Sequence, residues 1–189
     1  KSIVVEFING EQNIHDNIIG VTTNRPNFAW HMQNLSNYIN LDHKDKNPRT
    51  INGYKIQPTG VGSGLLGLPG DWTPPSRFVR IAFAVDASVQ SKSANDAINL
   101  AEHIMNTVDI PIGAIKEKYD MVITLYGNAQ WSIIKDLTNK TMYFRTYDNM
   151  TLRKIDLNKF KLSSGSPKKY IDASTPSPKF IDVTQQFRL

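Results

Sequence analysis

Cysteine is absent from the 189 residues, which excludes disulfides and thiolate metal sites within the chain. Long apolar runs are absent as well. Stretches such as Ile81-Ala82-Phe83-Ala84-Val85 fall far short of the ~20 residues that a membrane span requires. No charged leader precedes an apolar run at the N-terminus, so no signal-peptide pattern is seen. Histidines occur only at 15, 31, 43 and 103, with no pair spaced to hold a metal from one helix face, and no metal or cofactor is expected. The excess of positive charge is small, 22 Lys+Arg against 17 Asp+Glu for a net +5, and its members are scattered. A nucleic-acid surface gathers cations on one face with aromatics between them. No nucleic-acid partner is therefore expected, and no membrane. Gly60-Val61-Gly62-Ser63-Gly64 lacks a following Lys-Ser/Thr pair and the dinucleotide-binding spacing, so it does not read as a phosphate loop.

What is present is a folding composition, with 40% hydrophobic and 21% charged residues. The length suits one domain of ordinary size or half of a larger one. Residues 2–7 read as a strand, and Asn9-Gly10 is a strong two-residue hairpin signal. Residues 13–16 and 18–23 read as further short strands. Pro26 permits a helix start, and Phe28, His31, Met32, Leu35, Tyr38 and Ile39 recur at helical spacing, which predicts a helix over 26–39. From 42 to 70 the pattern breaks into a charged loop and a glycine-rich stretch. Thr73-Pro74-Pro75-Ser76 opens a second helix, with Phe78, Ile81, Ala82 and Val85 as its buried stripe. Ser93-Ala94-Asn95-Asp96 is a capping box for a third, with Ala97, Ile98, Ala101, Ile104, Met105 and Val108 as its stripe. Beyond Pro111 the period becomes two, predicting strands over 121–126, 129–137, 141–147 and 152–157. Strands, then helices, then a meander indicate an α+β class.

Two polar residues stand out. Asn24 precedes a Pro-containing helix start, where its side-chain amide is able to donate to an oxygen that gains negative charge during acyl transfer. It is equally placed to be a helix cap. Arg77 lies in the first turn of the second helix, where it would favour a neighbouring thiolate. A surface ion pair accounts for it as well, and Arg80 is an alternative for either role.

Their surroundings narrow the choice. Thr23-Asn24-Arg25-Pro26 is followed by Phe28-Ala29-Trp30 and Asn34-Leu35-Ser36-Asn37-Tyr38. Then come Gly67-Leu68-Pro69-Gly70-Asp71 and Ser76-Arg77-Phe78, and later Gln130-Trp131, Asp136-Leu137-Thr138-Asn139-Lys140 and Tyr143-Phe144-Arg145-Thr146-Tyr147-Asp148-Asn149. In this order, over about residues 2–157, the chain resembles the choloylglycine hydrolase family, which includes bile salt hydrolases and penicillin V acylases. The resemblance implies the N-terminal-nucleophile αββα sandwich, an α+β fold of antiparallel sheets flanked by helices. It implies hydrolysis of a small-molecule linear amide, with Asn24 as an oxyanion-hole donor and Arg77 as the guanidinium beside the nucleophile. Gly60 to Gly64 would then be a flexible loop near the site. Arg25 departs from the small residue usual there, which touches substrate access.

The family's nucleophile is an N-terminal cysteine, which this chain does not contain. Residues 1–189 therefore read as the C-terminal part of one such domain, with 163–189 as an extended surface tail. The expected partners are the missing N-terminal half or a chain that supplies it, and a second copy as a homo-oligomer. The chain by itself is expected to be inactive. The alternative is a non-catalytic binding or assembly module on the same fold. The Gln130-Trp131 and Tyr143 to Tyr147 hairpin looks closer to the family's Gram-negative branch, whose members are often exported, which implies a periplasmic location. Bile salt, penicillin V and acyl-homoserine lactone substrates all remain open.

Overall fold

In the computed structural model, residues 2–118, 124–174, 181 and 183–186 are described. The chain divides into two compact units, residues 1–90 with 106–108, and residues 91–105 with 109–189.

The first unit begins with an antiparallel hairpin, β1 (Ile3–Ile8) and β2 (Glu11–Asp16), in the register Ile3↔Asp16 to Ile8↔Glu11. Asn9 and Gly10 both take positive φ, 53° and 85°, the two left-handed positions that a tight hairpin turn demands. The expected strand over 18–23 does not form. Gly20 N–H donates to Asn17 Oδ1 at 2.8 Å and bends the chain, after which Val21 drops into the core without a ladder partner. Helix α1 (Phe28–Asn34) is shorter than the sequence predicts and continues as a 3-10 turn over Leu35–Tyr38. It starts after Asn27, whose side chain accepts from Trp30 N–H at 2.9 Å. The stretch read as irregular holds a second hairpin, β3 (Arg49–Ile51) and β4 (Tyr54–Ile56), turned by Asn52-Gly53 in the same left-handed pair.

Helix α2 (Pro74–Asp86) supplies the centre of this unit. Phe78 and Val79 are fully buried, and Phe78 and Ala82 pack with Val21 and Phe28. Val4, Ile19, Met32, Leu35 and Ile81 lie around that cluster. Phe28 meets Phe78 edge-on at 6.4 Å between centroids, and His31 stacks on Phe78 at 4.7 Å. The predicted stripe is shifted: Val85 is exposed, while Val79 and Arg80 are buried.

The second unit carries α3 (Ala94–Asn106), which loses only its last residue to the first unit. Its capping box forms as expected, with Asp96 N–H donating to Ser93 Oγ at 3.1 Å and Ser93 Oγ donating to Asp96 Oδ2 at 2.8 Å. A hairpin follows, β5 (Ile115–Lys118) with β6 (Thr124–Gly127). Strand β5 has no counterpart in the sequence reading, and the expected strand over 121–126 lies partly outside the described residues. The meander β7 (Trp131–Asp136), β8 (Thr141–Thr146) and β9 (Asn149–Asp156) is antiparallel in the order β7-β8-β9. A bulge between Phe144 and Thr146 lets Arg153 lie over the Phe144 ring at 4.4 Å. Buried Arg145 meets Glu102 of α3 at 3.8 Å.

Candidate active site

The site is built at the N-terminus of α2. Pro74 and Pro75 occupy the first helical positions, where no intrahelical N–H is needed. Asp71 braces this start: its carboxylate accepts from Thr73 N–H at 2.9 Å and from Ser76 Oγ at 2.6 Å. The Ser76 hydroxyl, followed by Thr73, lowers the Asp71 pKa to about 2. The Gly67 to Asp71 loop is thereby tied to the first turn of the helix that presents Arg77.

Arg77 and Arg80 are three residues apart on that helix and do different things. The Arg80 guanidinium is buried, donating from Nη1 to the carbonyls of Pro69 at 2.7 Å and Asp71 at 2.6 Å, and from Nε to that of Thr107 at 3.1 Å. Its Nη2 has no hydrogen-bond partner among the described residues. Burial lowers its pKa, with the Asp71 charge opposing. Arg80 is a clasp for the loop. Arg77 instead reaches outward, with Nε donating to Trp72 O at 3.1 Å and Nη2 to Asn24 Oδ1 at 2.8 Å. Burial lowers the Arg77 pKa as well, but a guanidinium remains charged at any ordinary pH.

The contact with Asn24 fixes which way its amide faces. A guanidinium only donates, so the Asn24 oxygen must point at Arg77 and the nitrogen away from it. Among the described residues no partner takes the Nδ2 hydrogens, and the side chain is exposed. The helix cap of α1 is Asn27, not Asn24. Arg77 and Asn24, 53 positions apart, thus form one unit, a cation holding an amide with its donor side free.

Two more residues act on the segment that carries Asn24. Glu6, from the inward face of β1, accepts from Phe28 N–H with both carboxylate oxygens at 3.0 Å. His15 Nε2 lies 3.8 Å from it. His31 is fully buried, and among the described residues neither ring nitrogen makes a hydrogen bond within normal geometry. Burial lowers its pKa, while the nearby carbonyls of Arg25 and Pro26 act in the opposite sense. Neither residue stood out in the sequence. The signal for Glu6 was a lone carboxylate at an inward position of an apolar strand.

No group of three or more potential ligands is placed to hold a metal ion among the described residues. No helix in the described part is long and apolar enough to cross a membrane. Two cavities are lined by other residues. One of about 460 Å³ lies beside Trp131, Arg145 and Tyr147, and one of about 350 Å³ beside Ile18, Leu35 and Phe83.

A family model described as linear amide C-N hydrolases, choloylglycine hydrolase family, matches residues 1–172. The chain is 38% identical over 175 residues to a bile salt hydrolase/transferase of Clostridium perfringens, covering 90% of this chain and 50% of that protein. It is 32% identical over 161 residues to a bile salt hydrolase/transferase of Lactiplantibacillus plantarum, covering 84% and 48%. The chain thus spans about half the length of the curated relatives it matches. A crystal structure of a conjugated bile acid hydrolase from Clostridium perfringens superposes with a TM-score of 0.80 at 35% identity, over 95% of this chain and 54% of that one. A penicillin V acylase from Agrobacterium tumefaciens shares the fold with a TM-score of 0.64 at 24% identity, over 87% and 44%.

Proposed function

The chain belongs to the choloylglycine hydrolase family of linear amide C-N hydrolases, and on that premise we propose that it supplies the electrostatic half of an amidase site. Its fold is of the α+β class, that of the N-terminal-nucleophile αββα hydrolases, as the resemblance implied. In this reading, residues 1–189 are the C-terminal part of a single domain, 163–189 are its surface tail, and the nucleophilic cysteine lies upstream. The coverage of about half of each relative supports it.

The observation that carries the proposal is the 2.8 Å hydrogen bond from Arg77 to Asn24. It leaves the Asn24 Nδ2–H groups turned away from the cation and free to donate. In acyl transfer, the upstream thiolate attacks the amide carbon, and the carbonyl oxygen takes up the negative charge. Asn24 donates to that oxygen. Arg77, beside it, favours the thiolate form of the nucleophile and holds the amide in place. The α-amine of the cysteine, with a reference pKa of roughly 7.7–8.0, carries the thiol proton to the departing amine. Water then attacks the thioester, the same oxygen becomes negative again, and the acid is released as the thiolate re-forms.

For substrate we infer conjugated bile salts ahead of penicillin V. Two relatives at 38% and 32% identity are named as bile salt hydrolases, and identity to the bile acid hydrolase structure exceeds that to the acylase. The chain also self-associates in this reading. The β3–β4 hairpin exposes Ile51, Tyr54 and Ile56, and Val61 and Leu66 lie open nearby.

The deciding experiment compares glycocholate and penicillin V hydrolysis by this chain alone and by the protein with its upstream cysteine-bearing segment. The expected result is turnover only with the segment, lowered about a hundred- to a thousandfold in kcat by N24A. Turnover by the chain alone would overturn the assignment of the nucleophile. Full kcat in N24A would remove the oxyanion role, and inactivity of the complete protein towards all amides would favour a non-catalytic module.

A further inference from the structure

We propose that Glu6 is a positioning residue for the amidase reaction, acting through the backbone of residues 24–28 to set where the Asn24 amide donates. The inference rests on the oxyanion reading of Asn24. Glu6 stands on β1 between Val5 and Phe7, at an inward-facing place that the strand's alternation would give to an apolar side chain. Its carboxylate is instead aimed at the start of α1, with both oxygens 3.0 Å from Phe28 N–H. An acid at that place has a physical reason: the first amides of a helix lack intrahelical acceptors and carry the positive end of its dipole.

The consequence for the site is mechanical. Asn24 and Phe28 bound a five-residue segment. At its far end, Phe28 is held by its ring in the core against Phe78 and by its amide on Glu6. At the near end, Asn24 is held by Arg77. Arg77 alone fixes one atom of the amide, its oxygen, and leaves the side chain free to pivot about that bond. The anchor at Phe28 holds the backbone from which that side chain springs and so narrows where it can pivot. His15, 3.8 Å from Glu6 and 5.5 Å from the Phe28 ring, closes the other side of the carboxylate. Among the described residues Glu6 bonds neither Asn24 nor Arg77, so in this proposal its effect on the amide passes through the 24–28 backbone.

A donor that acts only on the charged oxygen of the transition state changes kcat rather than substrate binding. In the protein with its cysteine-bearing segment and with glycocholate as probe, E6A is expected to lower kcat roughly 10- to 100-fold. KM should stay within about twofold. E6Q, which keeps an acceptor oxygen for Phe28 N–H, should recover most of that loss. In an N24A background, E6A should cost nothing further, because the group it positions is gone. Hydrogen exchange at residues 24–28, followed by mass spectrometry in E6A and E6Q, reports whether the anchor has been released. A fall in kcat with N24A but none with E6A would overturn the positioning role alone. So would an E6A loss that persists undiminished in N24A, or an equal rise in KM. Unchanged kcat in N24A would overturn both this role and the oxyanion reading. If E6A does not fold, E6L, which fills the place but offers no acceptor, decides: faster exchange at 24–28 with a lowered kcat supports the role, and full kcat or unchanged exchange refutes it.

Discussion

At the scale of single residues, the difference between Arg77 and Arg80 is the most instructive. Both are arginines on one helix, three positions apart, and the sequence offers no way to choose between them except the motif Ser76-Arg77-Phe78. The geometry separates them through their acceptors: backbone carbonyls surround Arg80, while Arg77 reaches a side chain from a distant segment. R77K keeps a positive charge but loses the rigid fork that bonds Trp72 O and Asn24 Oδ1 together. A kcat lowered at least about tenfold is expected, with the folded stability nearly intact, as steady-state kinetics beside a denaturation curve would show. Asp71 gives a pH prediction. Its folded pKa of about 2 lies below the roughly 3.9 of an unstructured aspartate, so its stabilising contribution is complete above about pH 4 and disappears as pH falls through 2. D71N should flatten that part of the stability profile, read as urea midpoints between about pH 2 and 5.

At the scale of elements, helix starts and turns were legible because their chemistry is local. Pro74-Pro75, the Ser93 to Asp96 box and Asn9-Gly10 each formed as their residue types require. Asn52-Gly53 carries the same signal as Asn9-Gly10, masked by the charged and glycine-rich stretch around it. The apolar spacing over 26–39 exceeds the α-helix because a 3-10 turn preserves nearly the same spacing. Residues 18–23 had strand composition but no neighbour to pair with, and composition carries no information about neighbours. The loop over 67–71 depends on Arg80, so R80M, which removes three hydrogen bonds to carbonyls, should cost roughly 2–5 kcal/mol by chemical denaturation. Gly64 is another such point. A Cβ there would collide with the carbonyl oxygens of Asp42 and Lys44, so G64A should disrupt the loop that carries Asp45, with its bonds to Gly62 and Ser63. Limited proteolysis near residues 42–66 is the measurement.

At the scale of the molecule, exposed apolar surface is the dominant fact. In the first unit Ile3, Phe7 and Ile14 stand open on one face of a two-stranded hairpin, and Ile18 and Ile39 are open too. Isolated two-stranded sheets are marginal in water, and patches of this kind mark surfaces that meet another polypeptide. The purified chain alone should therefore self-associate in light scattering and bind a hydrophobic dye. Both signals should fall when the upstream segment is co-expressed. The family was legible because several motifs stand in one order along the chain, which is far more specific than any one of them. Support residues such as Glu6 and His31 were not, since their role depends on which segment folds over them. Any acid on a strand or histidine on a helix face looks alike until that segment is in place.

The orientation of Asn24 has a further consequence, in chemical ageing. Hydrolysis of its side-chain amide to aspartate would exchange the free nitrogen for an oxygen and alter nothing else in shape. The Arg77 contact would be strengthened into an ion pair, and the fold would register no injury. Yet in the proposed oxyanion role the free face would change from donor to anion, the wrong polarity for an oxygen gaining charge. N24D, its genetic equivalent, should thus melt no lower than the unmodified protein and turn over more slowly than N24A. An aged preparation can then be fully folded, correct in size and catalytically silent.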